Sequence, residues 1–433
     1  MTHDALHRWN SCPSELRVPD TPPSDITSLH VYDFDNTLYK SPGPNRILYT
    51  NKTYGRLLAG PEAGSPIDSW WSCPAFLNES FREGLATPRV SHWNSKIVSL
   101  AAESFADPHT VSIILTGRTE EKFAALFAEM LATTRSSNHD NSNNFLMFNA
   151  VCLKKRDTAS GTFPHTFEAK AACISDFLLD YTNLRNVTLY DDRPKQVAMF
   201  KTYFQELRPT PGFQWSVVTV PALSLTLDPA AESRLVQDEV RRALPSGPGI
   251  NWTPKCTGFF LSQNSQKQLL VQAFKCLRRI NATKAANLAE YPMYIPVCRP
   301  GESLSPSDLD LIFTSKGYST IDPQCLERPY NQVDSKSRLG VDFVVTHYAV
   351  QATGPKSKLG NVYYKVVPRD RNTTIRTLFG ENAPLIVSGH IMDEKMSYKF
   401  TYDDMRRDNM RWTRLQNGIV INTTFGVYSK MIF

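Results

Sequence analysis

The chain has 433 residues, 41% hydrophobic, 11% aromatic and 21% charged, with a formal charge of +6 from 48 Lys and Arg against 42 Asp and Glu. That length allows two or three domains, and the apolar content is enough for packed cores, which excludes a globally disordered chain. No run of about 18 apolar residues could span a bilayer, and the start MTHDALHRWNSCPSELRVPD has no signal-peptide core.

The eight cysteines are scattered and form no CxxC pair, so neither a zinc site nor a disulfide frame is indicated. The expectation is a soluble intracellular protein, cytoplasmic or nuclear, in a reducing compartment.

Residues 1–28 carry Pro13, Pro19, Pro22 and Pro23 and read as a flexible lead-in. Order is expected from Leu29–Tyr32, a short apolar strand aimed at an acidic loop. Strands follow over Val111–Leu115, Phe145–Leu153, Val187–Tyr190 and Trp215–Val220, with helices over Glu120–Ala132 and Phe167–Tyr181. Strands and helices alternate, and the strands are apolar without polar alternation. That pattern predicts a doubly wound α/β domain over 29–245, its parallel sheet covered on both faces. A helix over Pro229–Leu244 closes it, and the breaker run Pro245-Ser246-Gly247-Pro248-Gly249 opens a linker over 246–256. Residues 257–433 change character. A basic helix over Gln266–Ile280 precedes strands over Val341–Ala352, Asn361–Val367, Pro384–Ile391 and Ile419–Phe433, giving a β-rich α+β domain.

Four segments carry chemistry. In Val31-Tyr32-Asp33-Phe34-Asp35-Asn36-Thr37, two carboxylates leave the carboxyl end of a strand, the edge where open α/β sheets bind ligands. In Leu115-Thr116-Gly117-Arg118, a strand ends in a hydroxyl and a glycine, suited to holding phosphate oxygens. Lys170, near the start of a helix, can neutralise both a carboxylate and an incoming phosphate. Leu189-Tyr190-Asp191-Asp192-Arg193 ends a further strand in paired carboxylates that suit a hard cation such as Mg²⁺. Each piece alone is ordinary. Their order along the chain is what points to phosphoryl chemistry.

These segments resemble the four motifs of the haloacid dehalogenase (HAD) superfamily of phosphatases. More narrowly, the runs SIILTGRTEEKF, FLMFNAVCLKK, TFEAK and LYDDRPKQVAMF are similar to the HAD domain of Swiss Army Knife RNA repair proteins, a branch known mostly from fungi and other eukaryotes. The resemblance covers roughly residues 29–245. It implies that Asp33 attacks phosphorus and that Asp35 acts as general acid and then base. It also implies Mg²⁺ on Asp33, the Asp35 main-chain carbonyl and Asp191, with Asp192 in support. Thr116, Gly117 and Lys170 would hold the phosphate oxygens. Asn149, Lys155 and Gln196 depart from the pattern, where Asp, Pro and His would be expected.

The stretch from Leu38 to Leu115 exceeds a bare connection. Either this insertion is a lid whose Trp70 or Trp71 stacks on a base or sugar or, more economically, Trp70, Trp71 and Trp93 pack it onto the sheet.

Charge divides at the linker. Residues 251–433 hold 24 Lys and Arg against 15 Asp and Glu, whereas residues 1–250 hold 24 against 27. Lys275, Arg278 and Arg279 form one basic cluster, and Arg406, Arg407, Arg411 and Arg414 surround Trp412 in another. Basic residues interleaved with an aromatic suit single-stranded RNA, and the alternative is an ordinary solvated surface, since Asp403, Asp404 and Asp408 interrupt the second cluster. His347 and His390 sit in strands but lack the Thr or Ser two residues later that two-histidine phosphoesterases need, since Ala349 and Met392 stand there. They are expected to be core histidines. The expected substrate is a phosphomonoester, with an RNA end implied by the resemblance. A small phosphate ester, or a non-enzymatic scaffold with an RNA- or protein-binding second domain, are the alternatives.

Overall fold

The computed structural model describes residues 4–433 except 47, 87–91, 138–145, 159–160, 208–211, 224, 248, 278–292, 297–339, 353–359, 370–384 and 391–411. The chain forms two compact units, one of residues 1–44 and 56–227, the other of residues 45–55 and 228–433.

The first unit begins with α1 (Ala5–Trp9) and β1 (Ser28–Tyr32). A helical insertion follows: α2 (Asn51–Ala59, whose first turn belongs to the second unit), α3 (Pro74–Ala86) and α4 (Ser95–Ala106). The alternating core continues with β2 (Thr110–Thr119), α5 (Glu120–Ser137) and β3 (Ala150–Lys154). A two-residue pair, β4 (Asp157–Thr158) and β5 (Gly161–Thr162), leads into α6 (Thr166–Asp180), β6 (Asn186–Asp191), α7 (Pro194–Glu206) and β7 (Gln214–Thr219).

Five strands make one parallel sheet in the order β3-β2-β1-β6-β7, an α/β Rossmann-like arrangement. Alternate residues of each strand enter different cores, because strand side chains alternate across the sheet. Leu29, Val31, Ile113 and Leu189 pack beneath Ile174, Phe177 and Phe200. Tyr32, Ile114, Val151 and Leu153 pack beneath Leu77, Phe123 and Phe127. Burial on both faces explains why these strands read as continuous apolar runs.

The N-terminal segment is not a flexible lead-in. Ala5, Leu6 and Trp9 are buried in the first of these cores, and Trp9 Nε1 donates to Asp176 Oδ2 at 2.8 Å. Beyond α1, Ser11 N donates to Val151 O at 2.8 Å, Val151 N donates to Asn10 Oδ1 at 3.0 Å, and Asn149 Nδ2 donates to Arg17 O at 2.9 Å. Arg135 and Glu15 close the edge with two hydrogen bonds of 2.7 Å. The segment thereby covers the free side of β3, an edge that would otherwise present unpaired backbone groups.

The second unit contains α8 (Pro229–Ala243), β8 (Asn251–Leu261), α9 (Gln263–Leu277), β9 (Tyr294–Pro296), β10 (Gly340–Ala352), β11 (Gly360–Pro368), β12 (Leu385–His390) and β13 (Thr413–Ile432). Six strands among the described residues close an antiparallel barrel in the order β10-β11-β12-β9-β8-β13. Closure removes the sheet edges. Phe259 packs edge-on against Phe343 and Phe425, at 5.4 and 5.3 Å between ring centroids.

Two boundaries differ from the sequence division. Helix α8 clusters with this unit, where buried Glu232 accepts from Asn45 N at 2.8 Å and from Tyr49 Oη at 2.7 Å. Half of the expected linker is strand β8. Its Pro254, which cannot donate to a ladder, sits at a bulge opposite Tyr428 and Ser429.

Candidate active site

Strand β1 lies at the centre of the sheet, and the chain crosses from β3 on one side of it to β6 on the other. Such a switch point opens a crevice at the carboxyl ends of the strands. Tyr32 is paired with Tyr190, and Asp33 N donates to Tyr190 O at 2.9 Å, so the next residues, Asp33 and Asp191, emerge side by side. Beyond Asp33 the chain turns tightly. Asn36 adopts a left-handed conformation (φ 59°), which asparagine tolerates, and Leu38 N closes back on Phe34 O at 3.1 Å.

Lys170 extends from α6 into the same place. Its Nζ lies 2.7 Å from Asp33 Oδ1 and 3.0 Å from Asp191 Oδ2, and all three side chains are almost fully buried. Asp33, Asp191 and Asp192 each offer a carboxylate oxygen within 4.8 Å of the others. Asp33 Oδ2 and Asp192 Oδ1 are buried and accept no hydrogen bond among the described residues. Burial raises Asp33 to about 6, with Lys170 opposing and Asp191 adding to the rise. Burial, then Asp33 and Asp191, push Asp192 up to about 7. Three crowded carboxylates with two buried oxygens that accept no hydrogen bond fit a hard divalent cation, which would satisfy the oxygens and relieve the repulsion.

The Asp35 carboxylate is engaged elsewhere. Arg118 donates to its Oδ1 through Nη2 at 2.7 Å and Nε at 3.0 Å, and Ser41 Oγ donates to the same oxygen at 2.5 Å. Burial pushes this carboxyl up, but Arg118 and Ser41 outweigh it and hold the group below its ordinary value. The cation contribution expected of Asp35 is through its main chain, and its side chain is not among the three clustered carboxylates.

Thr116 is buried on β2, and its Oγ1 accepts from Arg118 N at 3.3 Å. Gly117 lies directly against the first residue of α6. A Cβ there would meet Thr166 Cγ2 at 2.5 Å and Oγ1 at 2.8 Å. Only a glycine lets the strand that carries Thr116 approach the helix that carries Lys170 this closely.

Two residues have a place at the site that the sequence does not announce: Arg118 and Arg193. The half-exposed Arg193 places Nη2 3.8 Å from Asp33 Oδ2 and Nε 3.7 Å from Asp191 Oδ1, and donates to Gln196 Oε1 at 2.8 Å. Each arginine stands directly after a motif, in Thr116-Gly117-Arg118 and Asp191-Asp192-Arg193, and that adjacency is the available signal.

Trp70 does not serve as a stacking platform. It is buried, lies parallel to Phe76 at 3.8 Å and donates from Nε1 to Pro42 O at 2.6 Å. Trp71 is half-buried, and its carbonyl accepts from Arg118 Nη1 at 3.1 Å. Trp93 packs edge-on against Phe34 and Tyr39. Of the departures from the pattern, Asn149 accepts from Ser112 N at 2.8 Å and Lys155 pairs with Glu120 at 3.3 Å, both structural contacts.

In the barrel unit, Arg278, Arg279, Arg406, Arg407 and Arg411 lie outside the described residues, and only the backbone is described at Lys275 and His390. His347 is not a core residue. It is half-buried, pairs across strands with Lys365 and the exposed Arg414, and its Nδ1 lies 3.0 Å from Thr346 Oγ1. Among the described residues no helix is long and apolar enough to cross a membrane.

Residues 41–243 match the HAD domain family 1 in Swiss Army Knife RNA repair proteins, and residues 250–431 match the YMR265C C-terminal domain. The first match begins after Asp33 and Asp35, so the place of those two residues rests on the geometry above. A Saccharomyces cerevisiae protein, the uncharacterized protein YMR265C, is 34% identical over 447 residues, covering 99% of this chain and 94% of its own length. No solved structure gives a significant match. An HAD domain of the Swiss Army Knife type, followed by the C-terminal domain of the yeast relative and alike along the whole length, makes this chain a member of the YMR265C family of HAD-domain proteins.

Proposed function

We propose that the protein is a Mg²⁺-dependent phosphomonoesterase that works through an aspartyl-phosphate on Asp33 and acts on a phosphorylated RNA end. The observation that carries the hydrolytic reading is the buried Lys170 joined to both Asp33 and Asp191 beside carboxylate oxygens that accept no hydrogen bond. The RNA end rests on the family to which the HAD domain belongs.

Asp33, Asp191 and Asp192 would hold Mg²⁺, with the Asp35 carbonyl as the expected fourth protein ligand. Bound there, the cation would supply positive charge to the phosphate oxygens as the bond order to the leaving group falls. Lys170 keeps the Asp33 carboxylate ionised and oriented. Thr116, the Gly117 backbone and Arg193 face the transferring phosphate as donors. In the first half-reaction a bond forms from the Asp33 oxygen to phosphorus, the bond to the leaving oxygen breaks, and Asp35 gives that oxygen a proton. In the second, water attacks phosphorus, its proton passes to Asp35, and inorganic phosphate leaves with Asp33 restored. Held by Arg118 and Ser41, Asp35 is in the form that suits this second half. Serving the first half requires that it take up a proton and loosen from Arg118.

The test is phosphate release from an aryl phosphate with Mg²⁺ or EDTA, followed by RNA strands ending in 5′-, 3′- or 2′,3′-cyclic phosphate and by mononucleotides. Mg²⁺-dependent release, abolished in Asp33→Asn and fastest on one RNA phosphomonoester end, is expected. Equal rates on mononucleotides would remove the RNA end, and activity that survives Asp33→Asn would remove the nucleophile.

A further inference from the structure

The barrel carries a two-row surface that the phosphatase reading does not use. Across β11, β10 and β13, Lys365 is paired with His347 and His347 with Arg414. Residues directly opposite on neighbouring strands share a face, so these three side chains form one row, with about 10 Å between its ends. The opposite face of the same strands is the barrel core, where Phe343, Val345, Val366 and Ile421 are buried. The row is therefore on the outside. Thr346 makes the placement possible. Against β11 the register slips by one residue at Thr346, which turns His347 outward although Val345 points in; against β13 the pairing passes from Ile419 to Arg414, so residues 415–418 bulge out of the ladder.

Beside the basic row on β10 and β11 runs an apolar one, and on β13 the two are separated by the bulged residues 415–418, with Gly418 against Val344. Val344 is paired with Val367 on one side and Val420 on the other, and the two outer valines are 37% and 40% exposed. Trp412 completes the surface, with Lys365 Nζ 4.4 Å from its ring centroid. Among the described residues no carboxylate pairs with Lys365 or Arg414. Among the described residues the acid on this face is Asp342, which lies beyond the valines and is engaged by Asn422 at 2.7 Å and Arg369 at 3.5 Å.

We infer that this face binds single-stranded RNA. The basic row meets the phosphates, and the valine floor and Trp412 ring meet bases and ribose. A polyanion accounts for the cations but not for the adjoining apolar row, whereas an unpaired strand offers both phosphates and uncovered base faces. The valines are short, so they make a floor for flat rings and offer no wedge for a bilayer. The inference does not depend on the phosphatase chemistry.

The test uses the full chain and a fluorescent single-stranded oligoribonucleotide without terminal phosphate, which gives the catalytic site nothing to hydrolyse. Binding should fall with salt, and Lys365→Ala with Arg414→Ala should weaken it at least about tenfold and reduce the log–log salt slope by about 0.7 for each contact removed. Trp412→Phe should preserve binding and Trp412→Ala should weaken it about tenfold, the scale of one lost stacking contact. Aryl phosphate hydrolysis and the melting temperature of the double variant should match the parent, and Asp33→Asn should bind the strand normally. Unchanged RNA binding and salt slope in a folded double variant would overturn the inference. So would binding to phosphatidylserine vesicles in place of RNA, which would make the face a membrane contact.

Discussion

Arg118 and Asp35 form a clamp at the mouth of the site: two guanidinium nitrogens reach Asp35 Oδ1 at 2.7 and 3.0 Å, and the third holds Trp71 O at 3.1 Å. The residue expected to move protons is thus tied to the insertion between β1 and β2 through one buried arginine. Arg118→Met should cost about 3 kcal/mol at neutral pH, because Asp35 is left largely buried without its counter-charge. The Asp35 carboxyl lies below its ordinary value, so this stabilisation is present above about pH 4 and is lost as pH falls through the lower folded value. Urea denaturation of parent and variant between about pH 6 and pH 3 should show the gap between them narrowing. A gap independent of pH would mean that Arg118 contributes by packing alone.

Cation binding should be visible without turnover. In the metal-free protein Asp33 is raised to about 6 and Asp192 to about 7, so the folded state keeps protons that the unfolded chain has already released. Stability from these groups therefore falls as pH rises from about 4 through 7, by about 1.4 kcal/mol for each tenfold difference in proton affinity between the folded and unfolded chain. Mg²⁺ should restore it, raising the melting temperature more at pH 7.5 than at pH 5. Asp192→Asn should raise the metal-free melting temperature at pH 7.5 and shrink the Mg²⁺ increment.

The contact between Gly117 and Thr166 predicts a coupled pair. Gly117→Ala places a Cβ 2.5 Å from Thr166 Cγ2, a clash that should cost about 1–3 kcal/mol. Thr166→Ala removes both clashing atoms, and the double variant should recover most of the loss. A double-mutant cycle by chemical denaturation measures the coupling. Additive effects would show that the β2–α6 approach relaxes freely.

The positions of Asp33, Thr116 and Asp191 were legible because each follows or closes a short apolar run, and parallel strands carry such runs to one edge; β2 continues past Thr116 to Thr119. Arg118 and Arg193 were not. Arginine near the end of a strand is ordinary, and only the folded edge shows that they lean on Asp35, Asp33 and Asp191. The anchor at Trp9 escaped because α1 is too short to show a period and is followed by prolines. In the barrel, Pro254 masked β8, and β9 is three residues long. The outward turn of His347 depends on a bulge at Thr346, which no local pattern announces.

The N-terminal segment should behave as part of the core. Trp9→Ala removes a buried indole and its bond to Asp176, and should cost about 3–5 kcal/mol by denaturant titration. Deleting residues 1–18 should uncover β3 and cause aggregation, read by light scattering. A soluble truncation of parental stability would return this segment to a dispensable lead-in.

The most direct test of the phosphatase mechanism is to trap the bond it requires. During turnover of para-nitrophenyl phosphate with Mg²⁺, acid quenching followed by borohydride converts an acyl-phosphate side chain to its alcohol, which peptide mass spectrometry locates. Homoserine in place of Asp33 is the expected product, present with Mg²⁺ and absent with EDTA. Reduction at another carboxylate, or undiminished turnover by Asp33→Asn, would contradict the mechanism.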